Sequence, residues 1–346
     1  MRREEDARAD SAYAEDWQAV EELILSQRKD LSVRTRLEES QEGRRADRII
    51  GCILGGAVGD CMGGPYERQQ IPVRLDRDRH WKLSDDTQMT LATCEAVSRC
   101  GCVDASVIAE NFVSWFKARR ISGVGASTQK ALSELSAGGH WALVGRKGEM
   151  GAGNGAAMRI APLAFCLNPK DHNARVTIRD VCRITHHNEE AYAGALAVAL
   201  SVAAAYEGAW IGDSNLVQLI IDYLPDSSVK DRLNQMVELD QDASIHEVAA
   251  QFGCSAYVVE SVPFVLFVVQ RIRELGFKAL LEELISAGGD TDTNASIAGQ
   301  IVGTLIGQEG LSQEMLDRVP DLNLIKETAV EFSKTVLKKS NQIAGR

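Results

Sequence analysis

Apolar residues recur every three or four positions along most of the chain, which is the spacing of one face of a helix. Segments 216–224, 261–275 and 279–290 have this pattern. The alanine-rich segment 189–208 is apolar on nearly all sides, which predicts a buried helix. Alternating strand patterns bounded by tight-turn dipeptides are absent. The sequence therefore predicts an all-α fold, a multi-helix globule with one catalytic domain at 47–346.

The first 46 residues differ in composition from the remainder, with nine Lys or Arg and twelve Asp or Glu. Within them Trp17, Val20, Leu23 and Ile24 form an apolar stripe at helical spacing. We interpret residues 1–46 as an N-terminal extension with one or two short helices. Two alternatives remain open: the stripe packs on the protein's own body, or it binds a partner protein.

Charge and cysteine content narrow the class of protein. The net charge of −11 over 346 residues argues against a nucleic-acid groove. No apolar run reaches the roughly 18–20 residues of a membrane span, and the mixed-charge start has no apolar core of a secretory signal. The eight cysteines form no Cys-x-x-Cys pair, and most have apolar neighbours. They indicate free thiols in a reducing, cytoplasmic setting.

Two short segments crowd carboxylates and hydroxyls together about 200 residues apart. One is SDDT at 84–87, and the other is DTDT at 290–293, after a Gly-Gly turn. Each precedes a segment with a helical pattern, so simple N-capping is one explanation. The other is a site for hard cations, because carboxylate and hydroxyl oxygens suit Mg²⁺, Ca²⁺ or Mn²⁺. Together the clusters match two cations in a shared site.

Further candidates surround these clusters in the sequence. Glu67 follows a Gly-Gly-Pro turn that can aim its carboxylate at a reacting centre. In the segment 151–163, three glycines and an asparagine precede a predicted helix of small residues. Either they only begin that helix, or their exposed backbone N–H groups bind an anion, with further donors from the similar segment 122–132. His186 and His187 precede the buried helix. Being adjacent, they cannot both face inward, so one is expected to face solvent.

These segments resemble the ADP-ribosylglycohydrolase family. GCILGGAVGDCMGGPYE, SDDTQMTLA, GNGAAMRIAPLA, ITHHNEEA and SAGGDTDTNASIAGQIVG follow one another in the family's order over about residues 47–310. The resemblance implies an all-α fold with two Mg²⁺, or Mn²⁺, in a cleft that holds ADP-ribose. It implies removal of ADP-ribose from modified protein side chains, with arginine-linked ADP-ribose favoured because the bacterial members that the chain resembles act there.

The resemblance also implies roles for individual residues. Metal ligation is expected from Ser84, Asp85, Asp86, Asp290, Asp292 and Thr293. Substrate binding is expected from Gly125, from Asn154, Gly155 and Met158 in the glycine-rich loop at the diphosphate, and from His186 near the nucleotide. Some family members carry an acid just before the glycine aligned with 124–125, where this chain has Ser122 and Gly123. The catalytic base is then Glu67 or a metal ligand such as Asp290.

Other functions remain open at this point. A non-catalytic ADP-ribose-binding protein would keep the cleft, although the intact acid clusters argue against loss of catalysis. A second alternative is an inhibitory protein whose extension binds an ADP-ribosyltransferase, including a toxin that an immunity protein would counter. A generic two-metal phosphohydrolase is more distant, and phosphate release from a simple ester would reveal it.

Overall fold

Helices make up nearly all of the regular structure in residues 41–67, 69, 73–76, 78–239 and 243–344, which the computed structural model describes. This confirms the predicted all-α class. The α-helices are α1 (41–63), α2 (Asp85–Cys100), α3 (Ala105–Lys117), α4 (Ala126–Ser136), α5 (Ala161–Cys166), α6 (His172–Arg183), α7 (Glu189–Glu207), α8 (Leu216–Ile220), α9 (Ser228–Val237), α10 (Ile245–Phe252), α11 (Val258–Val269), α12 (Ile272–Ser286), α13 (Thr291–Ile306), α14 (Gln313–Leu316) and α15 (Leu322–Ala344).

Shorter elements connect these helices. The 3-10 helices are Gly64–Tyr66, Glu149–Gly151, Asn154–Arg159, Ile221–Tyr223 and Gln308–Gly310. Two strands of two residues each, β1 (Arg146–Lys147) and β2 (His186–His187), pair in parallel with Arg146 opposite His186. This small pairing has no alternating pattern in the sequence, but it fixes the backbone at His186.

Helix α7 is the predicted alanine-rich helix, and its burial is confirmed. Every residue from Ala191 to Ala205 is buried, and α7 packs against α5, α6, α11 and α13. Asn188 caps its N-terminus by accepting hydrogen bonds from the backbone N–H groups of Glu190 and Ala191. A helix surrounded on all sides needs no polar face, which explains why the segment lacks amphipathic periodicity.

Helices α1 and α13 pack with their backbones almost touching. Small residues recur every four positions on both: Gly51, Gly55, Gly59 and Gly63 on α1, and Ala295, Gly299 and Gly303 on α13. A Cβ atom at Gly55 would lie 2.3 Å from the carbonyl oxygen of Gly299, and one at Gly63 would lie 2.2 Å from that of Thr291. This contact brings the end of α1, followed by Glu67, against the start of α13.

The predicted boundary of the N-terminal extension falls inside helix α1, which already includes residues 41–46. The apolar stripe formed by Trp17, Val20, Leu23 and Ile24 lies outside the described residues. Residues 46–346 form one compact unit, and the packing and the site described here belong to it.

All eight cysteines lie in the described part of the chain and are free thiols. Five are buried, Cys166 is partly buried, and Cys100 and Cys102 are exposed at the end of α2. In the helices that the structure describes, none is long and apolar enough to cross a membrane.

Candidate active site

A cleft opens where the N-termini of α2, α4 and α13 meet the glycine-rich loop before α5. The predicted site residues that line it are Glu67, Asp85, Asp86, Gly125, Asn154, Gly155, Met158, His186, Asp290, Asp292 and Thr293. Ser84 is the predicted ligand outside this lining, although it contacts Asp86 directly. The structure thus brings together residues from six separate parts of the sequence. Their individual roles remain predictions.

The start of α2 is organised around Ser84. Its Oγ accepts a hydrogen bond from the backbone N–H of Asp86 at 3.2 Å, so Ser84 is the N-cap of α2. The same hydroxyl donates to Asp86 Oδ2 at 2.9 Å. From the other cluster, Thr293 Oγ1 donates to the same oxygen at 3.3 Å. The two acid–hydroxyl clusters therefore meet at the carboxylate of Asp86.

Asp60 supports this arrangement from α1, and the sequence analysis did not select it. Its carboxylate is fully buried and accepts hydrogen bonds from Thr87 Oγ1 at 2.5 Å and from the backbone N–H groups of Ser84 and Thr87. Burial raises the pKa of Asp60 to about 6. The available signal was an acid among glycines and apolar residues in GAVGDCMGG, since buried acids require partners.

The start of α13 is built differently. Asp290 occupies the N-cap position, yet its side chain makes no capping hydrogen bond. Instead Asp290 Oδ2 accepts from Asn154 Nδ2 at 2.7 Å, while Asp292 Oδ1 accepts from the backbone N–H of Thr293. Capping therefore accounts for Ser84 but does not account for Asp290, whose carboxylate ties the acid cluster to the glycine-rich loop.

The buried carboxyl groups of the cleft disfavour one another's charge. Burial, followed by repulsion from neighbouring carboxylates, raises the pKa of Asp85 to about 7 and that of Asp292 to about 8. The same causes raise the pKa of Asp86 well above its ordinary value and raise that of Asp290. Concentrated negative charge of this kind is stabilised by a cation or by protons.

The donor chemistry of this cluster fits a hard divalent cation. Asp86 Oδ1 is buried without a hydrogen-bond partner, and the neighbouring oxygens come from carboxylates and hydroxyls, the ligands that Mg²⁺ and Mn²⁺ prefer. Among the residues that the structure describes, no three Asp, Glu, His or Cys side chains already stand in a metal-binding arrangement.

Glu67 lies at the rim of the cleft, directly after the 3-10 helix Gly64–Tyr66. Its backbone N–H donates to Gly64 O, which closes the turn that contains Pro65. Glu67 is exposed, whereas Asp290 is partly buried. The negative charge of Glu67 contributes to the raised pKa values of Asp290 and Asp292, so Glu67 lies close to the acid cluster.

Backbone N–H groups converge on the opposite side of the cleft. Ala126, Ser127 and Thr128 form the first turn of α4 and line the cleft. The N-cap residue Gly125 has no side chain to satisfy the free N–H groups of that turn. A helix N-terminus of this kind favours an anionic group, because its donors and its dipole both point outward.

The glycine-rich loop leads into a 3-10 helix, Asn154–Arg159, before α5 begins at Ala161. The sequence had predicted a helix of small residues directly after the glycines. Contacts from α13 and α2 hold this turn, because Met158 O accepts from Gln300 Nε2 at 2.6 Å and from Thr90 Oγ1 at 3.3 Å.

The position where some family members carry an acid does face the site. Gly123 lines the cleft, and a Cβ atom built there would lie 3.7 Å from Asp85 Oδ1. Its φ of +84° favours glycine. Ser122 instead bonds Gln88 through its backbone N–H at 2.7 Å. In this chain the wall beside Asp85 therefore carries no additional carboxylate.

The two adjacent histidines differ in burial. His186 is buried and lines the cleft, and His187 is only partly buried. Burial, with a smaller effect of the Arg159 cation, lowers the pKa of His186 to about 3. Arg159 itself is fully buried, and the sequence analysis did not select it. A lone arginine in a small-residue segment offers no distinctive pattern.

Comparisons with known proteins agree with this description. The model of the ADP-ribosylglycohydrolase family matches residues 41–342. ADP-ribosyl-[dinitrogen reductase] glycohydrolase of Rhodospirillum rubrum is 26% identical over 298 residues, covering 81% of this chain and 92% of the relative. ADP-ribosylhydrolase ARH3 of Homo sapiens is 27% identical over 330 residues, covering 80% of this chain and 88% of the relative.

An uncharacterised protein of Archaeoglobus fulgidus is 26% identical over 306 residues, covering 83% of this chain and 96% of the relative. A solved structure titled as an ADP-ribosylglycohydrolase-related protein complex matches with a TM-score of 0.65 and 22% identity, covering 85% of this chain and 99% of that chain. At this identity the structural similarity supports the fold. With a family match over most of its length, the chain belongs to the ADP-ribosylglycohydrolase family, whose members are hydrolases of glycosidic bonds.

Proposed function

We propose that this protein removes ADP-ribose from modified protein side chains, with arginine-linked ADP-ribose as the favoured substrate and two Mg²⁺, or Mn²⁺, as cofactors. One observation carries the proposal: two acid–hydroxyl clusters and the N–H-rich turn of α4 face a single cleft. The first arrangement suits cations and sugar hydroxyls. The second suits the diphosphate of ADP-ribose. Family members are hydrolases of glycosidic bonds, so a cleft with both features suits the removal of ADP-ribose.

The cations would be held by Ser84, Asp85, Asp86, Asp290, Asp292 and Thr293. When bound, they supply positive charge that offsets the crowded carboxylates, holds the hydroxyls of the distal ribose and makes a nearby water more acidic. The buried Asp86 carboxylate contacts hydroxyls from both clusters, so it would be central among the residues that hold the cations.

The remaining cleft residues bind and orient the substrate. The first turn of α4 presents backbone N–H groups to the diphosphate, and Asn154 and Gly155 line the cleft beside it. Asn154 also holds Asp290 through its amide, so diphosphate binding and the acid cluster share one side chain. Met158 and His186 line the same cleft and would contact the nucleotide.

Glu67 is the preferred catalytic base. It lines the cleft and is exposed, whereas Asp290 is partly buried and belongs to the proposed cation ligands. In the proposed reaction a water oxygen bonds to the anomeric carbon of the distal ribose, and the bond from that carbon to the side-chain nitrogen breaks. Glu67 takes a proton from the water, and the departing guanidine gains one. The transition state has the oxocarbenium character of glycoside hydrolysis.

Two features of the chain support an arginine linkage. Guanidine is a delocalised leaving group, which fits a cleft whose described lining offers carboxylates rather than a cationic acid. The exposed carboxylate of Glu67 at the rim also suits a guanidinium, since carboxylates accept paired hydrogen bonds from that group. A serine-linked substrate would require a separate proton donor for the departing hydroxyl.

The test is hydrolysis of arginine- and serine-ADP-ribosylated proteins with Mg²⁺, with Mn²⁺ and with a chelator. We expect free ADP-ribose from the arginine-linked substrate, dependence on the cation, and loss of activity in Asp86→Asn with retained folding by thermal melting. Asp104→Asn is the matched control, because Asp104 caps α3 outside the cleft.

Three results would contradict the proposal. Full turnover in the chelator would remove the cations from the reaction. ADP-ribose binding without release in any cation would leave only a binding protein. Release of phosphate from a simple ester, with ADP-ribosylated proteins untouched, would make the protein a phosphohydrolase.

A further inference from the structure

Behind the wall of the cleft, a buried arginine reaches the imidazole of His186 through a single hydroxyl. Arg159 Nη2 donates to Thr185 Oγ1 at 2.8 Å, and Thr185 Oγ1 lies 2.7 Å from His186 Nδ1. Arg159 and Thr185 are fully buried, and His186 is 3% exposed. Arg159 is fixed in turn by donating to Gly155 O at 2.5 Å and by lying over the ring of Phe112.

The donors and acceptors available on Arg159, Thr185 and His186 assign the direction of each hydrogen bond between them. The guanidinium of arginine can only donate, so Thr185 Oγ1 accepts from Arg159 and keeps its own proton. Among the residues that the structure describes, the one acceptor paired with the Thr185 hydroxyl is Nδ1 of His186. The hydroxyl proton therefore points to Nδ1. A neutral imidazole whose Nδ1 accepts carries its proton on Nε2.

The Nε2 edge of the ring faces the glycine-rich loop. A Cβ atom at Gly153 would lie 3.2 Å from His186 Nε2, and one at Gly155 would lie 3.3 Å from it and 2.8 Å from Cε1. Both glycines line the cleft. Glycine at these positions therefore leaves space beside the proton-bearing edge of the imidazole, on the side where the diphosphate is expected.

We propose that Arg159 and Thr185 are positioning residues that hold His186 as the Nε2–H tautomer, so that it donates a hydrogen bond to a phosphate-type oxygen of bound ADP-ribose. The inference rests on the proposed function for the identity of the ligand. It explains why an arginine, Arg159, is buried behind the cleft, and it defines which ring nitrogen of His186 carries the proton. His186 then acts as a fixed neutral donor and does not act as a cation.

The tautomer can be observed directly in the full-length protein without ligand. Long-range ¹H–¹⁵N correlation spectra distinguish a protonated ring nitrogen from an unprotonated one, and His186→Gln identifies the resonances of His186. We expect an unprotonated Nδ1 and a protonated Nε2. A wild-type spectrum with the proton on Nδ1 would overturn the proposal, whatever any variant does.

Two substitutions separate positioning from packing. Thr185→Ser keeps the hydroxyl and should retain both the tautomer and the affinity for ADP-ribose. Thr185→Val keeps the shape and removes the hydroxyl, so it should mix the tautomers and weaken ADP-ribose binding by about 10-fold, the loss of one hydrogen bond. Binding is measured by titration calorimetry, with thermal melting to confirm folding and His187→Gln as the neighbouring control.

The outcomes distinguish this inference from the proposed function. If Thr185→Val retains the wild-type tautomer and affinity, the positioning role is wrong even though the protein binds ADP-ribose. If the wild type does not bind ADP-ribose at all, the proposed function fails, and the ligand-free spectrum still decides which tautomer Arg159 and Thr185 impose.

Discussion

At the scale of single residues, burial separates carboxylates of the same chemistry into different tasks. Asp60 is sealed inside and organises the start of α2 through Ser84 and Thr87. Asp86 joins the two clusters, and Asp290 ties them to Asn154. Glu67 is exposed at the rim, where a substrate and a water can reach it.

The first prediction concerns Glu67→Gln, which keeps the shape of the side chain but cannot take a proton from water. We expect the rate of the chemical step to fall by about 10²–10⁴-fold, the usual contribution of a general base, with ADP-ribose affinity little changed. Single-turnover kinetics measure the step, and Glu110→Gln on the exposed side of α3 is the control. An unchanged rate would assign the base role to Asp290.

The second prediction concerns the pH dependence of stability. The pKa of His186 is about 3 in the folded protein and about 6.5 when unfolded. As the pH falls below 6.5, His186 becomes protonated in the unfolded chain but stays neutral in the folded protein, so the free energy of unfolding decreases. Between pH 7 and pH 5, His186 should lower the free energy of unfolding by about 2 kcal/mol. The buried carboxyl groups act in the opposite direction, so variants must be compared with wild type.

Urea unfolding of wild type and His186→Gln at pH 7 and pH 5 measures this contribution, because the carboxyl groups are common to both proteins. On going to pH 5, the variant should lose about 2 kcal/mol less than wild type. His187→Gln should show a smaller difference, since burial also lowers the pKa of His187 but leaves it partly exposed. Equal losses in wild type and His186→Gln would contradict a buried, neutral His186.

The sequence could identify acids and hydroxyls that cluster locally, but it could not identify groups that act from separate elements. Asp60 looked like one polar residue in an apolar helix, and its partners are more than twenty residues away. Arg159 reaches Thr185 across twenty-six residues. Contacts at these separations depend on the packing of helices, which the local pattern does not contain.

At the scale of elements, the contact between α1 and α13 determines where the acids lie. Glycines on both helices let the backbones approach, so that Gly63 lies against Thr291 and Asp292. Thr291 Oγ1 also donates to Gly63 O at 2.9 Å. The end of α1 and the start of α13 are therefore held together, and Glu67 follows directly from this junction.

The third prediction is that Gly55→Ala destabilises the protein and reduces activity together. The added Cβ would lie 2.3 Å from Gly299 O, so the helices must separate, at a cost of about 1–3 kcal/mol for overpacking. Gly43→Ala on the same helix is the matched control. Its Cβ would meet nothing within 4 Å, so the greater helix propensity of alanine should leave stability unchanged or raised. Thermal unfolding measures both variants, and equal stability would contradict the close packing.

Secondary structure could be predicted where it depends on the local sequence of a segment. It could not be predicted where it depends on contacts with other segments. The alanine-rich segment was predicted as a buried helix, and α7 confirms it. The stretch Asn154–Arg159 is a 3-10 helix, and it packs through the Met158 carbonyl against Gln300 and Thr90, which are distant in the sequence. Strands β1 and β2 pair over two residues each, too few to produce an alternating pattern.

At the scale of the whole molecule, the family match and the first helix both include residue 41. The segment 1–40 therefore lies before the matched domain, and it contains the stripe of Trp17, Val20, Leu23 and Ile24. An amphipathic helix with such spacing can place its apolar face in the groove of a partner, and flanking mixed charges can steer association. The proposed partner is an ADP-ribosyltransferase, including a toxin, whose modification this protein removes.

The fourth prediction is that the two activities separate genetically. Deletion of 1–40 should leave hydrolysis of ADP-ribosylated protein intact and abolish tight binding to the transferase, while Asp86→Asn should abolish hydrolysis and keep the binding. Replacing Trp17 and Leu23 with Ser in the full-length chain should reproduce the deletion, because it removes two apolar anchors without shortening the segment. Binding is measured by calorimetry and hydrolysis by release of ADP-ribose. If the protein that lacks residues 1–40 binds the transferase as tightly as the full chain, any contact with the transferase belongs to the catalytic domain. If that protein does not fold, residues 1–40 are a structural part of the catalytic domain.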